Sequence, residues 1–513
     1  MTRLPALRYL LPLALLLAAG IAAPGASQER QRPPQPVETA PPGPTAEPVR
    51  TVQEIRVDGR VLRYAVTTGF LPLTSDTGEK EAEVFFIAYT LEGDHKPAER
   101  PLMFSFNGGP GSSSVWLHLG ALGPKRVKML PDGNLPPAPY ELVENPHTWL
   151  TESDLVFIDP VGTGYSRPAR AEQGRRYWGL RGDIESVGDF IRLYLTRYER
   201  WASPLFLVGE SYGTTRAAGL VGDLVEKGVA FNGVLLISSV LNFQTLRFGV
   251  GNDLPYQLYL PTYTATAWYH KKLPPELQRD LGRTLEEVER FTIEEYTPAL
   301  MKGTNLSDAE RRAVAQKVAR YTGLSPEYVE QTNLRIEIFR FTKELLRDQR
   351  KTVGRLDSRF TGFDVDAAGE SPDYDPSMTA IRPPYTAAFN DYVRRELGFR
   401  TDRTYHILGG GINAPWEWLR PGAQGYADTS DDLRAALVKN PYMKVFVGSG
   451  YFDLATPYFA TEYTLSHLGL EKPLRNNLTV REYRAGHMMY IDEQELVKLR
   501  NDVVEFLRSA ARR

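Results

Sequence analysis

Short apolar runs alternate with glycine-rich loops and with apolar residues at helical spacing between residues 100 and 245. The runs predict buried strands at residues 101–106, 155–158, 205–208 and 233–240. A helix is predicted before the third strand, with Asp183 as its N-cap and apolar side chains at Ile184, Val187, Phe190, Ile191, Tyr194 and Leu195. This alternation predicts an α/β protein whose mostly parallel sheet is flanked by helices.

The flanks of this region extend the predicted sheet. β-Branched and aromatic residues alternate through residues 51–73 and 83–91, with Asp58-Gly59 as a turn, which predicts antiparallel strands at one end. Later in the chain, strands are predicted at residues 444–447 and 478–483, before an amphipathic helix at residues 493–509.

A long stretch between the two halves has a different pattern. Residues 276–350 are charged and helix-periodic, with a capping box at Ser307 and Glu310 and a helix start at Ser325, whereas residues 351–430 are loop-rich. We interpret residues 247–437 as a large helical cap insertion over the carboxyl edge of the sheet. The insertion divides the predicted core into residues 51–246 and 438–513.

The N-terminus has the pattern of a secretory signal. Arg3 and Arg8 precede an apolar run that ends in small residues, so we predict a signal peptide at residues 1–27 and a secreted or periplasmic protein. A membrane anchor is the alternative, but the run contains Pro12 and is shorter than the roughly 20 residues of a span. We expect no stable membrane association after cleavage. Residues 28–50 are proline-rich and polar, which predicts a disordered lead-in.

Composition limits the partners. The 513-residue chain has a formal net charge of −2, so no whole-chain field favours nucleic acid, and we expect no nucleic-acid partner. It has no cysteine, which excludes disulfides, thiolate metal sites and a cysteine nucleophile. Composition does not fix the oligomeric state.

One acidic loop imitates a calcium site. Asp364, Asp366, Gly369 and Asp375 fall near the spacing of a calcium-binding loop, but Ala368 occupies a ligand position and no clear helix leads in. The sequence therefore favours a solvated acidic loop, and we expect neither a metal nor a cofactor.

The motif GESYG at residues 209–213 lies between the strand predicted at 205–208 and a helical run of small residues. Its glycines allow a sharp turn from strand to helix, which exposes the hydroxyl of Ser211 at the sheet edge. The dipole of the following helix points at this serine. We therefore predict Ser211 as a nucleophile.

A serine nucleophile needs a base and a carboxylate to orient that base. Of the seven histidines, His487 follows the last predicted core strand, and Asp453 follows the strand before it. Both therefore lie at the edge where Ser211 emerges, in the order that an α/β-hydrolase triad takes. The backbone N–H groups of Tyr212 and of Gly109, in a glycine-rich loop after the strand at 101–106, are the predicted oxyanion hole.

Four motifs, FNGGPGSSS, DPVGTGYS, GESYG and AGHM, occur in this order, and the chain resembles the serine carboxypeptidases, the family of carboxypeptidase Y and cathepsin A. The resemblance covers the core from about residue 85 onward. It implies an α/β-hydrolase fold and peptide substrates with a free C-terminus. Position by position, it implies the triad and oxyanion donors named above, and a site for the substrate's terminal carboxylate at Asn107, Gly108 and Glu210.

The chain departs from the family pattern at Ser105-Phe106, at Ser112 and at Met489-Tyr490. The resemblance leaves open the side-chain preference of the substrate. Two other functions also remain open: an acyltransferase or esterase of the same family, and a non-catalytic binding protein on the same fold.

The motifs place Glu210 where a substrate carboxylate would bind, with no motif arginine or lysine beside it. Two adjacent carboxylates cannot both be ionised at low cost. We therefore predict that Glu210 binds as the neutral acid and donates a hydrogen bond. The alternative is that Glu210 only supports the turn at Ser211.

Overall fold

The structure is a computed structural model that describes residues 37–412 and 415–511, so the signal peptide predicted at residues 1–27 lies outside the described residues. The strands are β1 Val49–Val57, β2 Arg60–Thr74, β3 Lys80–Leu91, β4 Leu102–Phe106, β5 Lys125–Val127, β6 Leu142–Glu144, β7 Asp154–Ile158, β8 Arg167–Pro168, β9 Leu205–Ser211, β10 Gly233–Ser239, β11 Lys351–Val353, β12 Thr361–Phe363, β13 Lys444–Gly450 and β14 Leu478–Tyr483.

The α-helices are α1 Val115–Leu117, α2 Gly174–Tyr177, α3 Leu180–Arg197, α4 Tyr212–Glu226, α5 Leu254–Tyr269, α6 Leu281–Phe291, α7 Thr297–Lys302, α8 Asp308–Thr322, α9 Pro326–Gln331, α10 Ile338–Glu344, α11 Pro376–Arg395, α12 Ser430–Lys439, α13 Tyr458–Ser466, α14 Lys472–Arg475 and α15 Glu493–Ala511. Short 3-10 and π segments join several of them.

One large sheet organises the molecule, in the order β1-β2-β3-β7-β4-β9-β10-β13-β14, with β8 paired to β3. Strands β1, β2 and β3 pair antiparallel, and β3 joins β7 antiparallel. From β7 onward every pair in this order is parallel. The carboxyl ends of β4, β9, β10, β13 and β14 therefore meet at one edge, where the loops that follow them converge.

Side chains alternate between two hydrophobic clusters on the faces of the sheet. In β9, Phe206 and Val208 lie in one cluster, and Leu205 and Leu207 lie in the other. Helices α3, α4 and α12 cover the second face, and α11 and α15 cover the first. The continuous apolar runs of the sequence are those of strands buried on both faces. This arrangement confirms the α/β architecture that the sequence predicts.

The insertion consists of two parts that pack differently. Residues from α5 to β11 form a third hydrophobic cluster, which also includes Phe452 and Leu454 beside the sheet edge. The capping box predicted at Ser307 and Glu310 is present, and Ser325 caps α9. The part after β12 instead joins the main core, because α11 packs against the sheet. We use the word cap below for residues 254–353.

The sequence prediction that residues 351–430 are loop-rich is wrong over α11. This helix has 20 residues although Pro383 and Pro384, which locally disfavour a helix, lie in its interior. Its buried face includes Ile381, Tyr385 and Phe389. Burial of these large side chains offsets the backbone hydrogen bonds that the prolines remove.

The proline-rich segment is ordered over its described part. Glu38 pairs with Arg167 at 2.6 Å, and the buried Ala40 donates its backbone N–H to β8. Strand β1 then begins at Val49. The prediction of a disordered lead-in at residues 28–50 is therefore wrong from Glu38 onward. A salt bridge and a backbone hydrogen bond to the rim of the sheet hold a segment that could not form a core of its own.

A lysine side chain binds the acidic loop whose spacing is similar to that of a calcium site. The buried ammonium of Lys343 donates to the carboxylate of Asp364 and to the backbone carbonyl of Asp366, at 2.5 Å each. This lysine supplies the positive charge that the loop needs.

Among residues 37–412 and 415–511, no helix is long and apolar enough to cross a membrane.

Candidate active site

Ser211 lies at a strained turn between β9 and α4. Its backbone has φ 60° and ψ −133°, a conformation that costs free energy in an L-residue and persists only where the surroundings enforce it. A side chain at position 209 would place its Cβ 2.2 Å from the carbonyl oxygen of Gly213, so glycine is required there. The turn projects Ser211 out of the central sheet at its carboxyl edge.

His487 and Asp453 are in contact, as the sequence predicts. The imidazole Nδ1 lies 2.7 Å from Asp453 Oδ2, and both side chains are buried. The other oxygen of Asp453 accepts backbone N–H groups of Ala455 and Thr456, and the Thr456 hydroxyl donates to Oδ2 at 2.7 Å. A carboxylate fixed in this way selects the tautomer with hydrogen on Nδ1, which leaves Nε2 free to accept a proton.

The pKa of His487 reflects opposing effects. Burial lowers it, but the charge of Asp453 and the hydrogen bond to Asp453 raise it, and the net direction is upward from the ordinary value. Glu210 raises it further, while Arg355 lowers it. The protonated form of the imidazole is therefore stabilised by Asp453.

The backbone of the His487 loop is held from two sides. The N–H of His487 donates to the carbonyl of Leu356 at 2.6 Å, and the His487 carbonyl accepts from the Ser238 hydroxyl at 2.6 Å. Asp357 accepts the N–H of Gly486 at 3.1 Å. We call the segment at residues 354–359 the clamp loop. Although it lies within the insertion, its hydrogen bonds hold the backbone that carries the His487 side chain.

The predicted oxyanion loop packs against the start of α4. A Cβ at Gly108 would lie 2.4 Å from the backbone nitrogen of Tyr212, so only glycine permits this approach. Asp159 holds the loop from behind, because its Oδ1 accepts the backbone N–H and the hydroxyl of Ser114 at 2.8 and 2.9 Å. Burial raises the pKa of Asp159 to about 6. Gly108, Gly109 and Tyr212 line the same cavity as Ser211.

Glu210 and Asn107 form a buried pair. The Asn107 amide donates to Glu210 Oε1 at 2.8 Å, while Glu210 Oε2 has no hydrogen-bond partner among the described residues. Burial raises the pKa of Glu210 to about 7, although His487, Tyr490 and Asn107 act to lower it. The Tyr490 hydroxyl, one of the departures noted in the sequence, lies near this carboxyl group without completing a hydrogen bond.

A buried ion pair contacts Asn107 and Tyr212, two residues that line the cavity. Arg216 Nε donates to Asp183 at 2.8 Å, and its Nη1 donates to the carbonyl of Asn107 at 2.7 Å. Tyr212 also donates its hydroxyl to Asp183. The prediction that Asp183 caps α3 is therefore wrong: Gly179 occupies the N-cap position, and Asp183 lies in the first turn, where it pairs with Arg216.

All eight residues predicted for the site lie at one cavity or touch its lining. A cavity of about 540 Å³ is lined by Ser211, His487, Glu210, Asn107, Gly108, Gly109 and Tyr212, and Asp453 contacts it through His487. The cavity wall also contains two arginines from the insertion, Arg247 and Arg355. Among the described residues, no group of three or more histidine and acidic side chains is arranged to hold a metal ion.

Several residues of the site were not found by sequence reasoning. Thr456 follows Asp453 by three positions, a spacing at which a carboxylate commonly bonds its own chain, and this signal was available. No comparable local signal identifies Ser238, Leu356 or Arg355, because each reaches the site through tertiary packing alone.

Comparisons with known proteins agree on one family. The family model described as serine carboxypeptidase matches residues 60–496. Serine carboxypeptidase-like 5 of Arabidopsis thaliana is 31% identical over 223 residues, 41% of this chain and 48% of that protein. Serine carboxypeptidase-like 2 of Arabidopsis thaliana is 31% identical over 195 residues, 36% of this chain and 41% of that protein. The chain thus spans about half or less of the length of these curated relatives.

A solved structure shares the fold. The crystal structure of a prohormone-processing carboxypeptidase from Saccharomyces cerevisiae matches with a TM-score of 0.56 and 16% identity, over 86% of this chain and 91% of that chain. This similarity confirms the predicted α/β-hydrolase fold.

Proposed function

Because this chain belongs to the serine carboxypeptidase family, we propose that it removes residues from the C-terminus of peptides through an acyl-enzyme on Ser211. The observation that carries the proposal is the buried carboxyl group of Glu210 in the cavity that Ser211 and His487 also line. A group that remains protonated near neutral pH can donate a hydrogen bond to a carboxylate, which an ordinary glutamate cannot.

The proposed reaction begins with proton transfer. Ser211 Oγ attacks the last peptide carbonyl while His487 Nε2 accepts the serine proton. Asp453 stabilises the imidazolium without taking its proton. The N–H groups of Gly109 and Tyr212 are proposed to bind the oxyanion of the tetrahedral intermediate.

The remaining steps restore the enzyme. The imidazolium gives its proton to the departing amine, which leaves as the free C-terminal residue, and the acyl group stays on Ser211. Water then attacks the ester with His487 again as base, and the shortened peptide leaves.

The terminal carboxylate of the substrate is proposed to bind at Asn107, Gly108 and Glu210. In this arrangement the free Oε2 of Glu210 carries the proton and donates it in a hydrogen bond to the substrate. The contact exists only for a peptide with a free C-terminus, which separates a carboxypeptidase from a general esterase.

We also propose that the protein is exported, on the basis of the sequence pattern at residues 1–27. N-terminal sequencing of protein recovered outside the cytosol should begin near Gln28. Recovery of a chain with an intact Met1 from the cytosol would contradict export without affecting the proposed chemistry.

The activity is tested by mass spectrometry of a mixed peptide set after incubation with the enzyme. We expect stepwise loss of C-terminal residues from free peptides, little loss from the same peptides with a C-terminal amide, and none with Ser211→Ala. A parallel incubation with an added alcohol or amine acceptor tests the acyltransferase alternative. Acceptor-linked products without shortened peptides would overturn the proposal. Failure of a fluorophosphonate to label Ser211 would favour a binding protein instead.

A further inference from the structure

The cavity is lined by an arginine that forms no ion pair with any residue that the structure describes. Arg355 lines the wall beside the catalytic residues and is half-buried. Its hydrogen bonds to described residues come from its backbone, which donates to Asp375 and accepts from Leu454. Within residues 37–412 and 415–511, its guanidinium forms no ion pair and lies over no aromatic ring. The charge of Arg355 nevertheless acts on the site, because it opposes the net rise in the pKa of His487 and the rise that burial causes in the pKa of Tyr259.

Two other charged side chains from the insertion, Arg247 and Glu337, line the cavity. Arg247 is exposed and lies over the rings of Trp418 and Phe243, at 4.9 and 5.7 Å. Glu337 is half-buried, and burial raises its pKa while the neighbouring Arg340 lowers it. Arg355 thus differs from Arg247 in two ways: it is half-buried rather than exposed, and its guanidinium lies over no aromatic ring of the described residues.

The position of Arg355 is set by the backbone. It precedes Leu356 and Asp357 in the clamp loop, whose carbonyl and carboxylate hold the His487 loop. The backbone of Arg355 is therefore hydrogen-bonded within the segment that holds the His487 loop, and its side chain lines the cavity that His487 also lines. Guanidinium groups bind carboxylates strongly, often through two parallel hydrogen bonds.

We propose that Arg355 binds an acidic side chain of the substrate, so that the enzyme prefers peptides with aspartate or glutamate in one of their last two positions. The inference rests on the proposed function for its choice of peptides. It assigns to Arg355 a role separate from that of Glu210 and Asn107, which the proposed function uses for the terminal carboxylate. An acidic side chain beside Arg355 gains a salt bridge in a partly water-excluded cavity, where the attraction is stronger than in bulk water.

A different role for Arg355 makes a different prediction. If the residue acts only by its charge on His487, Arg355→Gln changes the pH dependence equally for acidic and neutral peptides. The ratio of kcat/KM between a glutamate peptide and its glutamine counterpart cancels that effect. The ratio therefore isolates direct recognition of the side chain.

The experiment uses two pairs of N-blocked peptides, with glutamate or glutamine at the last or at the penultimate position. In one pair we expect the wild-type ratio of kcat/KM to favour glutamate by at least about tenfold. Arg355→Gln should abolish this preference, mainly by loss of rate on the glutamate peptide, and Arg355→Lys should retain part of it. Arg340→Gln, which removes an exposed arginine of the cap, is the matched control and should leave both ratios unchanged.

A binding measurement separates this inference from the proposed function. Calorimetry with Ser211→Ala should show tighter binding of the glutamate peptide than of the glutamine peptide, and Ser211→Ala combined with Arg355→Gln should bind both alike. If wild-type enzyme cleaves no peptide but this difference is present, the carboxypeptidase proposal fails and the Arg355 inference stands. Equal binding of the two peptides to Ser211→Ala, no binding of either, or a preference that survives Arg355→Gln would overturn the inference.

Discussion

Replacement of Glu210 by glutamine tests how the site binds the free C-terminal carboxylate of a peptide. Burial raises the pKa of Glu210 from its ordinary value of 4.5 to about 7, so the carboxyl group is neutral in mildly acidic solution and ionises above pH 7. Once ionised, it repels the substrate carboxylate. We expect kcat/KM for a free peptide to fall with rising pH, and Glu210→Gln to remove this fall because its amide donates at every pH.

The size of the effect follows from the pKa. With a pKa of about 7, the neutral fraction falls roughly tenfold by pH 8 and roughly a hundredfold by pH 9, and kcat/KM should follow. His487 must be neutral to act as base, and its raised pKa limits the rate on the acidic side. Because Glu210 and His487 interact, the active enzyme carries one proton on the pair. The pH profile of kcat/KM should be bell-shaped, and its two apparent pKa values describe the pair and not either residue alone.

Stability gives a second, independent measure. A group whose pKa is raised on folding binds more protons in the folded state, so its contribution is most favourable below pH 4.5 and is lost as the pH rises through about 7. That loss corresponds to about 3 kcal/mol. Glu210→Gln should therefore be more stable than the wild type at pH 8 by up to about 3 kcal/mol, and similar to it at pH 4.

The assay compares pH profiles of kcat/KM for one peptide and its C-terminal amide, in wild-type enzyme and Glu210→Gln. Glu462→Gln is the matched control, because burial and neighbouring carboxylates also raise the pKa of Glu462 to about 7, and its side chain does not line the cavity. It should change stability at pH 8 and leave the peptide profile unchanged. If peptide and amide fall together above pH 7, or if the fall persists in Glu210→Gln, Glu210 does not bind the substrate carboxylate.

Three further predictions concern groups around the nucleophile. Ser211→Ala and His487→Ala should each lower kcat by roughly 10⁶ and Asp453→Asn by roughly 10⁴, with unchanged circular dichroism; near-wild-type turnover by His487→Ala would refute the assigned base. Thr456→Val should lower kcat by about tenfold with little change in KM, because Asp453 loses one of its donors; an unchanged kcat would show that the backbone donors suffice. Arg216→Met should lower the free energy of unfolding in urea by about 3 kcal/mol, since it leaves a buried carboxylate unpaired; an unchanged urea midpoint would contradict this.

The sequence predicts the sheet well because its strands are locally encoded. A strand such as β9 is buried on both faces, so it reads as a continuous apolar run between a proline and a glycine. The errors occur where tertiary contacts outweigh local preference. Prolines inside α11 suggest a loop, but the buried side chains of that helix decide its conformation. Glu38 belongs to a segment too polar to fold alone, and its position is explained by tertiary contacts such as the ion pair with Arg167 and the backbone hydrogen bond of Ala40.

The contacts of the site divide in the same way. Ser211 and its flanking glycines are contiguous in sequence, and Asp453 and His487 each follow a recognisable strand, so their positions at one edge can be predicted from order alone. Arg355 and Ser238 have no such marker, because packing of distant segments brings them to the cavity and to the His487 backbone. The sequence predicts the groups that react in the proposed mechanism, and the structure adds the residues that contact them and the other residues that line the cavity.

The clamp loop has a consequence for how activity is lost on heating. It ties the backbone around His487, the proposed catalytic base, to a segment outside the central sheet, through the carbonyl of Leu356 and the carboxylate of Asp357. Local opening of such a segment costs less free energy than unfolding of the strands. Warming can therefore release the imidazole from its partner while the sheet is still intact. Inactivation then begins as a reversible event confined to one loop, at temperatures where the bulk of the molecule remains native.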